Sequence, residues 1–355
     1  MNILILLSAI KYSGASKIAT WLANKLIENG YQVYFVTFID EDDKRQLSNN
    51  IYRFRICIGE KNRFKRVIKA IINIRKINKD NNVDLIISFL PLEGLIAVLS
   101  TLFSKTKCIV SERSDPFFEK TAVSSISRFF FRFADGAVFQ SSGAQSFFSK
   151  KLQERSVIIQ NPVIKPLETT IEYPLRENII VSTSRLSIKQ KRQDVLLDAF
   201  SLVAQQDCCV QLKLIGDGPD EPFLKNKAIQ LKLQDRIQFV GKSDTVLSEI
   251  KSAKVFAFSS DFEGMPNSIL EALSMELPVV TTDYSPGGAF DLIENKNRGF
   301  VVPRNSPQLF AEKLLYVLTH DDEARIMAQN AALILDDLSE EKVISSWISY
   351  IKKYI

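Results

Sequence analysis

Cysteine is scarce in this chain. The four present, Cys57, Cys108, Cys208 and Cys209, are scattered apart from one adjacent pair, with no CxxC spacing. That excludes a disulfide-dense framework and points to a reducing compartment. There is little excess charge: 46 basic residues against 41 acidic give +5, which suits anionic small molecules or a membrane surface and argues against a nucleic-acid track. Low-complexity tracts are missing, so the chain is not a disordered one. No basic region precedes the apolar run from Asn2 to Ile10, which reads as a buried strand rather than a signal peptide, with a cytoplasmic location expected. Long apolar spans are missing too. Asp84, Pro91, Glu93 and Gly94 break the stretch Val83 to Phe103 before it reaches the ~20 residues that cross a bilayer, and it reads as a strand, a loop and a buried helix.

What is there alternates. An apolar strand at Ile3 to Leu7, a loop around Gly14, a helical stretch to Asn29, Gly30 as its stop and a strand at Gln32 to Phe38 form a β-α-β unit, the mark of a parallel sheet. Further strands are expected at 85–89, 108–111, 136–139 and 157–159, and, after a linker at 162–177 holding three prolines, at 179–183, 211–215, 237–240, 255–258, 278–282 and 299–302. With 355 residues the chain exceeds what one core usually fills. The expected class is α/β, with a first Rossmann-like domain over 1–165, a second over 176–338, and a helix over 339–355 that either crosses back to the first domain or caps its own.

The most specific run is Asp261-Phe262-Glu263-Gly264-Met265-Pro266-Asn267-Ser268-Ile269-Leu270-Glu271. It puts Glu263 in a loop at the carboxyl end of a strand, where open α/β sheets bind ligands. The backbone N–H groups of Met265, Asn267 and Ser268 then sit at a helix N-terminus suited to an anion. Upstream, Ser182-Thr183-Ser184-Arg185-Leu186 ends another strand, with Lys191 six residues after Arg185. Two cations so placed can neutralise a diphosphate leaving group, and Lys189 and Arg192 compete for the same part. A Gly-rich turn, Gly216-Asp217-Gly218-Pro219, ends the next strand, and Tyr284-Ser285-Pro286-Gly287-Gly288-Ala289 supplies small residues for a close backbone approach. In the first half, Ser13-Gly14-Ala15-Ser16 follows the first strand without GxGxxG spacing, so no dinucleotide site is indicated.

These runs resemble glycosyltransferase family 4, strongly over 179–303 and loosely over 1–161. The resemblance implies the GT-B fold, two Rossmann-like domains facing a central cleft, and retaining transfer from a nucleotide-sugar donor, UDP-sugar favoured, to a lipid-linked glycan acceptor of bacterial surface polysaccharide. It implies that Glu263 meets sugar hydroxyls, Glu271 the ribose, and Arg185 and Lys191 the pyrophosphate. Gly216 and the 264–268 segment (Gly264, Met265, Pro266, Asn267, Ser268) would line the donor, Val240, Gly241 and Lys242 the base, and Gly14 the donor phosphates and acceptor. The family often carries a histidine after a later first-domain strand. This chain's single histidine, His320, lies far away in the second domain. The corresponding loop reads Ser111-Glu112-Arg113-Ser114-Asp115-Pro116, with Arg113 expected at phosphate or acceptor and Asp115 at an acceptor hydroxyl. No Asp-x-Asp metal motif is read at a strand end, so no metal and no cofactor is expected. A nucleotide-sugar epimerase of the same architecture and a non-catalytic sugar-nucleotide or membrane-binding module are the alternatives.

One surface points to an anionic membrane. Between Phe64 and Lys79, Phe64, Val67, Ile68, Ile71, Ile72 and Ile74 repeat at helical spacing among eight basic residues from Lys61 to Lys79. The apolar stripe is expected to pack on the sheet and leave a cationic face, and core packing is expected for most phenylalanines of Arg128-Phe129-Phe130-Phe131-Arg132-Phe133. Peripheral association with the cytoplasmic leaflet follows as the expectation.

Overall fold

The computed structural model describes residues 1–10, 14–39 and 47–354. They form two compact units, Met1–Asn161 with Glu341–Ile355, and Pro162–Glu340.

The first unit holds a seven-stranded parallel sheet. Its strands are β1 (Asn2–Leu6), β2 (Gln32–Thr37), β3 (Tyr52–Arg55), β4 (Leu85–Phe89), β5 (Lys107–Ser111), β6 (Gly136–Phe139) and β7 (Ser156–Ile158), in the order β3-β2-β1-β4-β5-β6-β7. Strand 85–89 is apolar but for Ser88 and fully buried, as expected of a parallel sheet covered on both faces. β3 was not anticipated: Tyr-Arg-Phe-Arg is a short edge strand with mostly exposed residues, so its apolar signal is weak. The helices are α1 (Gly14–Glu28), α2 (Arg63–Asp80), α3 (Pro91–Thr101), α4 (Ala122–Phe130), α5 (Ser142–Ser146) and α6 (Lys150–Glu154). The expected loop before α3 shrinks to Leu90, at φ 78°.

One face of this sheet is covered by α1 and by the C-terminal helix Glu340–Ile351, which share a core of Leu22, Leu26, Val343 and Trp347. The Tyr350 hydroxyl accepts the Ala137 N–H at 2.9 Å and donates to the Arg155 carbonyl at 2.5 Å. The other face is covered by α2 and α3 together with Phe131. Gly94 of α3 makes this packing possible, because a Cβ there would lie 2.4 Å from Cε1 of Phe131.

The stripe on α2 splits. Ala70, Ile74 and Ile77 enter the core, whereas Phe64, Ile68 and Ile72 stay exposed. The phenylalanine run also departs from expectation. Phe131 is fully buried and Phe130 partly so, but Phe129 and Phe133 face out. Among the described residues no helix is long and apolar enough to cross a membrane.

The second unit holds a six-stranded parallel sheet: β8 (Glu177–Thr183), β9 (Gln211–Ile215), β10 (Ile237–Gly241), β11 (Ala253–Phe258), β12 (Val279–Thr282) and β13 (Gly299–Val302), ordered β10-β9-β8-β11-β12-β13. Its first helices are α7 (Ile188–Lys191), α8 (Gln193–Gln206), α9 (Glu221–Gln230), α10 (Val246–Ile250) and α11 (Asn267–Ser274). The proline-containing stretch read as a linker is anchored rather than free. Val163 N–H bonds the Leu338 carbonyl, the Tyr173 hydroxyl donates to the Val317 carbonyl, and buried Arg176 donates to the carbonyls of Ile171, Met275 and Glu276. Single anchoring side chains leave no periodicity for a sequence reading to detect.

Candidate functional site

In the second sheet the strand order reverses between β8 and β11, the position at which a doubly wound sheet opens a crevice at its carboxyl edge. The loops leaving these two strands are stitched together. The Ser259 hydroxyl donates to the Lys191 carbonyl at 2.7 Å, and the Ser260 hydroxyl and Asp261 N–H both reach the Gln190 carbonyl. Gln190 Nε2 in turn donates to the Phe262 carbonyl.

That stitching carries two side chains into contact. Lys191 Nζ lies 2.5 Å from Glu263 Oε1, and its ammonium sits 5.2 Å above the Phe258 ring. The Ser260 hydroxyl donates to the same Oε1, also at 2.5 Å. Both bonds fall on one oxygen, so among the described residues Oε2 makes no hydrogen bond and is available to a further donor. A backbone bond from Glu263 N–H to the Ser285 carbonyl fixes the segment to the loop after β12. Ser260 was not foreseen, although a serine pair directly after a strand is the signal that marks it.

The competing cations separate. Arg192, at φ 47°, is spent on Asp194 and Asp261, each at 3.1 Å. Lys189 is exposed on α7. Arg185 is exposed at the end of β8 and, among the described residues, has no ion pair, while the carbonyl of the same residue accepts Gln193 Nε2 at 2.8 Å. The arrangement therefore offers one held cation and one free one.

Around them lie the glycine turns. Gly216, at φ 134°, donates its N–H to the Gly241 carbonyl, and a Cβ on it would stand 2.1 Å from the Ser184 carbonyl oxygen. Only glycine lets these two loops touch. Val240 is half-buried and Lys242 exposed. Gly264, Met265, Asn267 and Ser268 are half-buried, Pro266 is buried, and α11 opens at Asn267 without a side-chain cap, so the positive end of its dipole lies beside this segment and suits an anion. Glu271 is half-buried within α11.

In the first unit Gly14 is exposed at the start of α1, while Ser13 lies outside the described residues. Arg113 is buried instead of projecting. Its guanidinium packs over Phe89 and Trp347 at 5.3 and 5.7 Å and donates to the Ser111 hydroxyl and Asn161 Oδ1. Burial pulls its pKa down to about 9, which leaves it charged at neutral pH. Asp115 is buried too, with Oδ1 accepting the Phe117 N–H. One atom of each, Arg113 Nη2 and Asp115 Oδ2, is buried with no hydrogen-bond partner among the described residues. Nearby in sequence space and unanticipated, Glu93 is buried at the start of α3, where Oε1 accepts the Ser8 N–H at 3.0 Å. Desolvation raises its pKa, with a smaller push from Glu112.

Among the described residues no group of three or more His, Cys, Asp or Glu side chains could hold a metal ion. An Asp-x-Asp spacing does occur at Asp40-Glu41-Asp42, shortly after β2, and the sequence reading passed over it; it lies outside the described residues.

Residues 169–333 match the family described as Glycosyl transferases group 1, and residues 12–164 match Glycosyltransferase Family 4. The chain is 24% identical, over 99% of its length and 98% of the relative's, to the GalNAc-alpha-(1->4)-GalNAc-alpha-(1->3)-diNAcBac-PP-undecaprenol alpha-1,4-N-acetyl-D-galactosaminyltransferase of Campylobacter jejuni. It is also 24% identical to the amylovoran biosynthesis glycosyltransferase AmsD of Erwinia amylovora, covering 98% of both. Among solved structures, the apo lipopolysaccharide outer core galactosyltransferase WaaB superposes with a TM-score of 0.79 at 20% identity over 100% of both chains. Anabaena HepE in complex with UDP gives 0.82 at 18% identity, over 99% of this chain and 100% of its own.

Proposed function

Because the chain belongs to the family 4 glycosyltransferases, with the GT-B fold, we propose that it transfers a hexose or N-acetylhexosamine, with retention, from a UDP-sugar to a lipid-linked glycan in bacterial surface-polysaccharide synthesis. The observation that carries this reading is the contact of Lys191 with Glu263, with exposed Arg185, six residues before Lys191, making no ion pair among the described residues. Transfer breaks the bond from the anomeric carbon to the diphosphate and forms one to an acceptor hydroxyl on the same face, whose proton leaves with the departing diphosphate. Negative charge grows on that diphosphate, and Arg185, Lys191 and the α11 N-terminus are the groups to meet it. Glu263 holds the ammonium in place through Oε1 and offers Oε2 to the donor sugar. Positioning and charge suffice, so the reading requires no metal.

The acceptor and the location belong to the same proposal. The Campylobacter relative is named for an undecaprenol diphosphate-linked substrate, and such an acceptor is presented at the inner face of the plasma membrane. The exposed basic side of α2, with Lys65, Lys69 and Lys76, would draw the protein to anionic lipid by about 1 kcal/mol for each basic residue near the surface.

The test is incubation with UDP-, GDP- and ADP-sugars, scored by nucleotide release, followed by NMR of the product's anomeric configuration. Release from UDP-sugars with an unchanged anomer supports the reading. Release confined to another nucleotide, or inversion, overturns the corresponding part.

A further inference from the structure

α4 is an amphipathic helix turned inside out. Ser124, Ser127 and Arg128 face inward, whereas Val123, Ile126 and Phe129 are 53%, 55% and 52% exposed, and Phe133 just beyond is 54% exposed. The inversion has a local cause. Arg128 donates from Nε to Glu112 Oε2 at 2.8 Å, from Nη1 to the Glu119 carbonyl at 2.6 Å and from Nη2 to the Ser114 hydroxyl at 3.0 Å. The Ser124 hydroxyl also donates to the Glu119 carbonyl. Rotating α4 to bury its apolar side would break all of these bonds, so the fold spends the polar side on the 112–121 loop and leaves the apolar side out.

The face is continuous with a cavity of about 290 Å³. Pro116, Phe129, Phe147 and Leu152 give it apolar walls, and Lys120 and Arg132 also line it. Arg132 lies 3.8 Å over the Phe129 ring. No carboxylate occurs on α4, and the exposed Glu119 nearby lies 3.5 Å from Arg128, whose charge it shares with Glu112.

We propose that the outward face of α4, with Phe133 and the mouth of this cavity, inserts into the headgroup–acyl boundary of an anionic bilayer. The proposal rests on the peripheral-membrane reading above and names the element that makes the apolar contact. A bilayer fits better than a protein partner because of how charge and apolar surface are laid out. Helix α3 touches both α2 and α4, which keeps these two within two ordinary helix spacings, at most about 20 Å, of each other. The first unit thus presents close together the cations of α2, with exposed Phe64, Ile68 and Ile72 among them, and the apolar face of α4 rimmed by Lys120 and Arg132. A flat surface with phosphate outside and hydrocarbon beneath is complementary to both at once.

The full chain is to be co-sedimented with phosphatidylcholine vesicles, with and without phosphatidylglycerol, at low and high salt. Val123, Ile126 and Phe129 changed together to Ser should lower partitioning at least about tenfold at high salt, where the α2 attraction is screened, with donor hydrolysis retained. In a Phe129→Trp variant, whose other indoles Trp21 and Trp347 are buried, emission should shift to the blue and be quenched by brominated lipid. The α4 proposal is overturned if the triple variant binds as the parent does, or if light scattering shows a parent dimer that the triple variant dissolves, since a second copy then covers the face. Binding that survives the triple change but is lost when Lys65, Arg66, Lys69 and Lys76 become Glu removes α4 and keeps the peripheral reading. A parent chain that binds no vesicle removes both.

Discussion

Lys191 and Glu263 meet at 2.5 Å although 72 residues separate them in sequence. Both side chains are largely withdrawn from water, at 16% and 9% exposure, so each is the other's main compensation for lost hydration. Lys191→Ala and Glu263→Ala should each lower transfer by at least about 10²-fold, the usual cost of removing one positioned electrostatic group. The double variant should lose much less than the product of the two, because the pair acts as a unit. Steady-state kinetics with the donor identified by the nucleotide panel checks this, and near-parental turnover in either single variant removes that residue from the site.

Gly216→Ala should abolish donor binding while the second unit stays folded. The added methyl would stand 2.1 Å from the Ser184 carbonyl oxygen at a φ of 134°, forcing the β8 loop that carries Arg185 away from the turn. Calorimetric titration with UDP beside a circular dichroism melt separates the two effects. Retained UDP affinity counts against the role of this contact.

Glu93 makes stability depend on pH. Its folded pKa is raised above the 4.5 of a free carboxyl by burial, so its stabilising contribution is complete below that value and declines as pH rises through the folded pKa. Glu93→Gln keeps an acceptor for the Ser8 N–H and cannot ionise. The melting temperature of the variant relative to the parent should therefore rise from pH 5 towards pH 8, and a difference that is flat across this range refutes the assignment.

Much of the fold was legible from period and punctuation alone. Strands such as 85–89, 211–215 and 299–302 emerge at the bounds expected of them, because strands of a sheet covered on both faces read as largely apolar runs between glycine and polar punctuation. The edge strand β3 was not legible, since it is short and mostly solvated and its Tyr-Arg-Phe-Arg alternation lacks the continuous apolar run of the buried strands. The candidate cations and Glu263 could be named from their positions at strand ends, but which cation meets Glu263 could not. Lys189, Lys191 and Arg192 stand within four residues, and only the αL turn at Arg192 and the hydrogen bonds from Ser259 and Ser260 to the α7 backbone choose among them.

The sequence by itself determined the elements and the chemistry available at their ends, since apolar period, glycine and proline act through the local backbone. Only the tertiary structure decided where Arg113 and α4 face. Arg113 has the composition of a ligand contact, yet Phe89 and Trp347, remote in sequence, enclose it. α4 has the apolar spacing of a core helix, yet Arg128 is bound inward to Glu112, to Ser114 and to the Glu119 carbonyl, and turning the helix over would break all three bonds.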